Sequence, residues 1–349
     1  MLTVDGSAGG GQMLRTALSL AAVDDRPVRV ESVRGDRPTP GLRAQHLAAV
    51  RALAALTDAD VTGSALGSET VTFDPGPVVG GESPLRVDVG TAGSVALVCD
   101  ALLPLAARLD APQSVVVAGG TDVKWSPPVD YLQRVKLPLF ARFGLDAGLA
   151  VERRGFYPAG GGAVALDLAP STVRAPRLSH RGAHRTTSVH AVASESLADA
   201  DVGTRLATAA VETLLARSDA PVRFASAVET TVASVPADSP GCVVLVRLGF
   251  ERTLAGFSAL GERGVPAETV GADAATGALS WLSGRGVVDP QMADQLLVLL
   301  ALVGGAVVVP RVTDHVATGV EVVRAFGRDV DVTDRPDGSA LVSVAARSL

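Results

Sequence analysis

A single histidine, His315, stands at the start of a helix-compatible segment in PRVTDHVATGVEVVRAF, residues 310–326. A neutral imidazole in this position can act as a nucleophile or a general base, and histidine is known to form covalent intermediates. The position is equally compatible with a polar residue that caps a turn. No lysine, cysteine or second histidine lies nearby in the sequence, so the residues that decide between these interpretations must come from elsewhere in the chain.

A second segment, VRGDRPTPGLRAQH at residues 33–46, concentrates basic and amide side chains around a Gly/Pro corner. It holds five residues that could bind an oxyanion: Arg34, Arg37, Arg43, Gln45 and His46. Exposed arginines are usually solvated charges, but several of them around one corner favour a phosphate pocket. The spacing of His46 with Leu42 and Val50 fits one helix face, so His46 is either part of that pocket or a half-buried core residue.

Two glycine-containing runs precede predicted helices. GSAGGGQ at residues 6–12 lacks the lysine of a P-loop and the spacing of a dinucleotide fingerprint. It is either a tight turn or a set of backbone N–H groups that receive an anion at a helix N-terminus, with Arg15 one turn further on. GTAGS at residues 90–94 is similar in character.

The composition restricts the classes of function. The 349 residues are 47% hydrophobic, and the net charge is −6. A negative net charge argues against a protein that binds nucleic acid nonspecifically over a large surface. It is compatible with a small arginine-lined pocket. Cys99 and Cys242 are not spaced as a CxxC motif. We expect both cysteines to be reduced, as in a cytosolic protein.

The sequence predicts a cytoplasmic protein without a membrane span. Residues 1–12 carry no basic and apolar pattern of a secretory signal. The apolar run Gln295–Pro310 is interrupted by Gly304 and Gly305 and is too short to cross a bilayer.

The order helix, strand, helix, hairpin occurs three times along the chain. The first two copies are offset by roughly 85 residues, and the offset between the second and third copies is roughly twice as large. We therefore predict an α/β (α+β) fold, with three repeated βαβαββ-like units around a pseudo-threefold axis. These units form a large domain, residues 1–177 and 279–349, and residues 178–278 form a smaller inserted α+β domain between copies two and three.

The repeats predict which corners meet. The strand-to-helix corners are residues 33–41, 118–128 and 310–319. If the axis brings them together, His315 gains four charged neighbours: Arg34, Arg37, Asp122 and Lys124.

Together these segments resemble the RNA 3'-terminal phosphate cyclase family. Seven motifs match in order along nearly the whole chain: DGSAGGGQMLRTALSL, VRGDRPTPGLRAQHLAAV, GTAGS, GGTD followed by SPPVDYLQRV, RGFYPAGGG, MADQL and DHVATG. Each motif alone is weak, whereas seven in sequence with the right gaps are specific. The predicted insertion also falls where that family carries its smaller domain.

The resemblance implies a reaction and a set of site residues. In the family, ATP adenylylates a histidine, AMP passes to an RNA 3'-phosphate, and the adjacent 2'-hydroxyl closes a 2',3'-cyclic phosphate, with release of AMP. By motif match, the nucleophile is His315. The matching phosphate- and RNA-binding residues are Arg15, Arg34, Arg37, Gln45 and His46. The matching ATP-binding residues are Asp100, Gln291, Met292, Ala293, Asp294 and Gln295. The implied partners are ATP, a divalent cation (Mg or Mn) and RNA with a 3'-phosphate end, with no obligate protein partner.

Two positions depart from the family pattern. Ala8 stands where bacterial members have a glutamate thought to help hold the metal. The identity of the metal ligands is therefore not predicted, and Asp294 is an alternative carboxylate ligand. Asp100 stands where the family often has glutamine, which changes the expected nucleotide contacts.

Two other functions are weighed against the cyclase. A non-catalytic cyclase-like protein, which binds RNA or assists ribosome assembly, lacks the nucleophilic histidine. An enolpyruvyl-transferase-like enzyme shares a related repeated architecture but relies on several lysines, and this chain has only Lys124 and Lys136.

Overall fold

The computed structural model describes residues 1–216 and 228–346, so residues 217–227 of the predicted inserted domain lie outside the described residues. The described part is a mixed α/β structure with four four-stranded sheets. Its strands are β1 (Leu2–Asp5), β2 (Val28–Glu31), β3 (Asp60–Thr62), β4 (Val71–Asp74), β5 (Gly81–Asp88), β6 (Gln113–Gly119), β7 (Ala147–Arg153), β8 (Gly162–Leu168), β9 (Arg177–Leu178), β10 (His184–Ser194), β11 (Glu229–Val235), β12 (Cys242–Phe250), β13 (Leu254–Leu260), β14 (Gly305–Val309), β15 (Val330–Asp334) and β16 (Ala340–Val344). Its α-helices are α1 (Gly10–Asp24), α2 (Ala44–Thr57), α3 (Val95–Leu102), α4 (Val129–Tyr131), α5 (Leu137–Ala141), α6 (Val202–Leu215), α7 (Ala267–Ser283), α8 (Pro290–Gln295), α9 (Leu297–Val303) and α10 (Asp314–Ala325).

Three of the four sheets have the same connectivity. Their strand orders are β1-β2-β4-β3, β5-β6-β8-β7 and β9-β14-β16-β15. In each sheet the first pair is parallel and the other two pairs are antiparallel. Each of the first two sheets is therefore built by one β-α-β-α-β-β stretch of chain, which matches the repeat order read from the sequence. The third sheet has the same order, with the inserted segment after its first strand. The placement of the units around a threefold axis stays a prediction.

The insertion lies inside the third unit. Strand β9 precedes the inserted segment and pairs in parallel with β14, which follows it. The sequence had placed the insertion between the second and third units, because the two-residue β9 is too short to leave a hydrophobic pattern.

The inserted segment has its own sheet, β11-β10-β12-β13, covered by α6 and α7. A separate hydrophobic cluster joins these elements, and it includes Leu206, Val246 and Trp281. The larger cluster joins the three repeated units. The division at residues 178 and 278 remains our proposal. The two clusters support separate cores, although Leu178 belongs to the larger cluster and Trp281 to the smaller one.

Two predicted helices are interrupted, and each interruption has a local cause. The helix expected to open at Pro40 begins at Ala44, since Gly41 has a φ of +77° that a right-handed helix cannot include. The helix expected over residues 127–144 passes through a π-helical turn at Leu132–Lys136. Pro138 has no N–H for the Arg134 carbonyl. That carbonyl instead accepts a hydrogen bond from Arg247 Nε at 2.8 Å.

Helix α1 lies at the centre of the arrangement that positions the site. It packs against α2, α3, α9 and α10, which belong to all three units. The N-terminal turns of α1, α2 and α10 carry the polar residues singled out in the sequence. Among the described residues, none of the helices combines the length and apolar character that a bilayer crossing requires.

Candidate functional site

A cleft of about 1000 Å³ opens where the three units meet. Ten of the predicted site residues line it: Arg15, Arg34, Arg37, Gln45, His46, Asp100, Gln291, Asp294, Gln295 and His315. They come from five separate segments of the chain. The remaining two, Met292 and Ala293, have side chains buried in the hydrophobic core.

His315 is the second residue of α10 and its side chain is exposed. The hydroxyl of Thr313 caps this helix by accepting a hydrogen bond from the Val316 N–H at 3.2 Å. The His315 carbonyl accepts a hydrogen bond from Gln12 Nε2 at 3.3 Å, and this bond connects α10 to the first unit. The imidazole therefore projects from a capped helix start, where unpaired backbone N–H groups favour negative charge.

Arginines give the cleft a positively charged lining. Burial lowers the pKa of Arg15 to about 10, and Asp294 opposes that shift, so the guanidinium stays protonated at neutral pH. Burial and the nearby charges of Arg43 and Arg37 lower the pKa of Arg34. Such a concentration of mutually repelling cations is suited to a polyanionic ligand, because phosphate oxygens relieve the repulsion.

Arg34 also holds its own corner together. Its Nη1 donates hydrogen bonds to the carbonyls of Thr39 and Gly41 at 2.8 and 2.9 Å. Part of its donor capacity is therefore structural. Arg37 lies close to the glycine run, since a Cβ on Gly10 would lie 3.4 Å from Arg37 Nη2.

His46 is a neutral, buried residue at the start of α2. Its Nδ1 accepts a hydrogen bond from the Arg43 N–H at 3.1 Å, which leaves the ring hydrogen on Nε2. Burial, with the charges of Arg15, Arg34 and Arg43, lowers the pKa of His46 to about 3. A Cβ on Gly11 would lie only 2.0 Å from Nε2, so glycine is needed for this close approach. His46 is thus both buried and part of the cleft wall, and its part in binding phosphate stays a prediction.

Gln45 joins the first unit to the second. Its Oε1 accepts a hydrogen bond from the Ser94 N–H at 2.9 Å. Ser94 in turn caps α3, which carries Asp100 on its cleft side.

An ion pair lies beneath the cleft between Asp100 and Lys136. The Lys136 side chain is 2% exposed and the Asp100 side chain 23% exposed. Burial lowers the pKa of Lys136 to about 7, and Asp294 opposes that shift. Burial likewise raises the pKa of Asp294, and the nearby His315 opposes it. The sequence analysis did not assign Lys136 to the site, although a lysine within the apolar run VKLPLF, residues 135–140, was a signal.

The segment after Asp289 is divided by helical spacing. Asp289 caps α8 by accepting hydrogen bonds from the N–H groups of Gln291 and Met292 at 2.9 and 2.8 Å. The second, fifth and sixth residues after the cap, Gln291, Asp294 and Gln295, then face the cleft, as positions on one helical face do. The two residues between them face the core, which explains why Met292 and Ala293 are absent from the cleft wall.

Two amide oxygens in the cleft wall, Gln12 Oε1 and Gln295 Oε1, are buried without a hydrogen-bond partner among the described residues. Buried acceptors are nearly always satisfied in native proteins, so these two are candidates to receive a ligand donor or a cation. No group of three or more His, Cys, Asp or Glu side chains in residues 1–216 and 228–346 is arranged to hold a metal by itself.

Two expected neighbours of His315 are engaged elsewhere. Asp122 is buried and pairs with Arg154 at 3.1 Å, and Lys124 pairs with Glu262 at 3.0 Å. The middle corner reaches the cleft instead through Trp125, Ser126 and Pro127.

Comparison with known proteins decides the family. A profile described as RNA 3'-terminal phosphate cyclase matches residues 7–331. The chain belongs to this family. The resemblance read from the seven motifs is thereby confirmed.

Individual relatives agree with the family match. Proteins named RNA 3'-terminal phosphate cyclase are 44% identical in Halobacterium salinarum, over 98% of this chain and 100% of that protein. The identity is 39% in Pyrococcus furiosus, over 93% of both chains. It is 40% in Ralstonia nicotianae, over 93% of this chain and 91% of the relative.

Among solved structures, the enolpyruvyl transferase NikO from Streptomyces tendae aligns with a TM-score of 0.39 and 12% identity. The alignment covers 98% of this chain and 48% of that one, and a TM-score of this size supports no conclusion.

Proposed function

We propose that this protein uses ATP to convert the 3'-terminal phosphate of RNA into a 2',3'-cyclic phosphate, through a covalent histidine–AMP intermediate. The observation that carries the proposal is the exposed imidazole of His315 at a capped helix start, in one cleft with Arg15, Arg34 and Arg37. A nucleotidyl-transfer site needs a positioned nucleophile and positive charge aimed at the transferring oxygens, and this cleft supplies both.

In the first step, an imidazole nitrogen of His315 attacks the α-phosphorus of ATP. A P–N bond forms and the bond to the β-phosphate oxygen breaks, so pyrophosphate leaves with the electron pair. Arg15 stays charged and is partly buried near the N-terminus of α1, where it can stabilise the developing negative charge. Lysine-based nucleotidyl transfer is poorly supported, because Lys136 is enclosed in its ion pair with Asp100.

In the second step, an oxygen of the RNA 3'-phosphate attacks the same phosphorus and the P–N bond breaks. This transfer releases His315 and leaves AMP joined to the RNA end through a phosphoanhydride. In the third step, the adjacent 2'-hydroxyl attacks the terminal RNA phosphorus, loses its proton, and expels AMP. We propose that Arg34 and Arg37 bind the RNA phosphate and that Gln45 and His46 orient it, because all four line the cleft from one segment of the chain, residues 34–46.

A divalent cation fits the oxygen donors of the cleft. Magnesium typically uses one or two carboxylates, several waters and the phosphates of its substrate. The Asp294 carboxylate and the unpartnered Gln12 and Gln295 oxygens are suitable donors on the cleft wall. When bound, the cation would neutralise charge on the leaving pyrophosphate. Ala8 leaves the glycine run without a carboxylate, so we place the cation nearer Asp294.

The test is transfer of label from ATP. Protein incubated with α-³²P-labelled ATP should retain label that is released by acid and resists alkali, as expected of a P–N bond. His315→Ala should abolish the label. His180→Ala is the matched control, since His180 is an exposed histidine outside the cleft, and it should be labelled normally. Full labelling of His315→Ala would refute the proposed nucleophile.

The same experiment separates the alternatives. A non-catalytic RNA-binding relative, or an enolpyruvyl-transferase-like enzyme, would trap no label from ATP. The position of His315 in an arginine-lined cleft speaks against the first. The second would need lysines in the cleft, whereas Lys136 lies beneath it and Lys124 pairs with Glu262.

A further inference from the structure

A second groove of about 820 Å³ runs next to the cleft. It shares Arg43, Gln45 and Trp125 with the cleft, so the two are continuous. Much of its wall is apolar, and it includes three large, well-exposed hydrophobic side chains: Leu66, Trp125 and Tyr157. None of the proposed steps requires these three residues.

Trp125 has two energetically unfavourable features, an exposed ring and a left-handed backbone conformation. Its side chain is 96% exposed, although a tryptophan ring normally buries most of its surface. Its backbone has a φ of +63°, in the left-handed region that is costly for a bulky residue. Costs of this kind tend to persist at sites where a ligand uses the residue.

Tyr157 is presented from a braced loop. Its side chain is 67% exposed, while the preceding Phe156 is buried. The loop packs tightly on the second unit, since a Cβ on Gly160 would lie 2.8 Å from Ala92 Cα. The Ala159 N–H donates a hydrogen bond to Ser239 Oγ, from the inserted segment, at 3.0 Å. The tyrosine ring is therefore exposed on a firm support.

The charge of the groove is opposite to that of the whole protein. The chain carries a net charge of −6, yet both charged residues that line the groove, Arg43 and Lys124, are basic. Neither Asp nor Glu occurs among its lining residues, all of which belong to the described part of the chain. Glu262, which lies outside the groove, forms an ion pair with Lys124 and offsets its positive charge. Arg43 is therefore the main cation of the groove.

We propose that this groove binds the nucleotides immediately 5' of the reacting end of single-stranded RNA, with Trp125 and Tyr157 as stacking surfaces for the bases. Exposed aromatic rings beside a cationic, continuous track are the usual means by which proteins hold single strands without reading their sequence. This inference rests on the proposed function, because the cleft must hold the terminal phosphate for the groove to receive the preceding nucleotides. A protein partner is disfavoured, since the groove leads directly into the arginine-lined cleft.

Binding is measured with a fluorescein-labelled oligouridylate pentamer that carries a 3'-phosphate, without ATP, by fluorescence anisotropy. Trp125→Ala and Tyr157→Ala should each raise Kd about 10-fold, as loss of one stacked base does. Trp125→Phe and Tyr157→Phe, which keep an aromatic face, should retain most of the affinity. Val79→Ala removes an exposed apolar side chain outside the groove and should bind like the wild type.

A further variant guards against a folding artefact. Trp125→Gly removes the ring and relieves the left-handed backbone, so its urea midpoint should equal or exceed that of the wild type. Its Kd for the pentamer should still rise about 10-fold. Wild-type affinity in this stably folded variant would overturn the proposal.

Substrate length distinguishes failure of this inference from failure of the proposed function. Uridine 3'-monophosphate can occupy only the cleft, whereas the pentamer can also occupy the groove. For Trp125→Ala, kcat/KM should fall about 10-fold more with the pentamer than with the mononucleotide. Equal losses with both substrates would assign Trp125 to the cleft alone and contradict the groove. Absence of label transfer in the wild type would instead remove the proposed function, while the binding experiment would still report on the groove.

Discussion

The ion pair of Asp100 and Lys136 makes two unusual residues depend on each other. Asp100 stands where the family often has glutamine, and a lone carboxylate would add negative charge to a cleft that we propose binds ATP. Lys136 supplies a compensating charge from beneath in its protonated form, although burial lowers the pKa of its ammonium group to about 7. The pair therefore permits an acceptor-only carboxylate on the cleft wall.

We predict that Lys136→Met weakens both folding and nucleotide use. The substitution leaves the Asp100 carboxylate without its cation, which should cost about 1–3 kcal/mol of unfolding free energy. The KM for ATP should rise. Asp100→Gln/Lys136→Met removes both charges and should recover most of the loss, as measured by urea unfolding and by label transfer. A double variant no better than Lys136→Met would contradict the coupling.

His46 predicts a pH dependence of stability. Its pKa is about 3 in the folded protein, against an ordinary value of 6.5. The unfolded chain therefore takes up a proton first as the pH falls, and the contribution of His46, complete above pH 6.5, is lost progressively between pH 6.5 and 3. In the steep part of this range, the loss amounts to about 1.4 kcal/mol per pH unit.

His46→Asn isolates this contribution. Asparagine places an oxygen near the position of Nδ1, where it can still accept the Arg43 N–H, but it does not titrate. Urea unfolding at pH 7.5, 6 and 5 should show a shallower fall for the variant than for the wild type. Parallel pH profiles would mean that His46 titrates normally in the folded protein.

At the level of elements, capped helix starts decide where the polar residues point. The start of α10 aims His315, the start of α8 separates Gln291 from Met292, and the start of α2 positions His46. Each cap is a local interaction, whereas the approach of the three helix starts is a product of tertiary packing.

Thr313→Val tests the cap of α10. Valine has the shape of threonine without the hydroxyl acceptor, so the Val316 N–H loses its partner, at a cost of about 1 kcal/mol. Label transfer to His315 should fall at temperatures where the variant remains folded, because the first turn frays. Thr313→Ser keeps the acceptor and should be labelled like the wild type. Normal labelling of Thr313→Val would show that the cap does not orient the nucleophile.

The same distinction explains what the sequence could predict. Glycine runs, helix periodicity and the ordered motifs were sufficient to predict the repeated units and ten residues of the cleft. The hydrogen bond that Arg247 donates to the π-helical turn joins segments that are distant in the sequence, and so do the ion pairs of Asp122 and Lys124. Such pairings leave no periodic signal in the chain, so sequence reasoning assigned Asp122 and Lys124 to the wrong neighbours.

At the scale of the molecule, the third unit must be joined to the first for His315 to face the arginines. Arg328 makes one such connection from the segment after α10. Its guanidinium donates to the carbonyls of Ala301 and Phe326 and pairs with Asp24, the last residue of α1, at 2.6 Å. Both side chains of the pair are 5% exposed. One cation thus holds the ends of α1, α9 and α10 together.

We predict that Arg328→Met lowers the unfolding free energy by about 3–5 kcal/mol, because the Asp24 carboxylate stays buried without the guanidinium charge. Asp24→Asn/Arg328→Met should recover part of that loss in a double-mutant cycle followed by urea unfolding. Asp24 lies about 13 Å along α1 from Arg15, so the pair is remote from the cleft. Well below the transition temperature, label transfer to His315 should therefore proceed at close to the wild-type rate in the Arg328→Met protein. A large loss of labelling in the folded variant would mean that the helix ends and the cleft are coupled, and that the joint between the first and third units sets the position of the nucleophile.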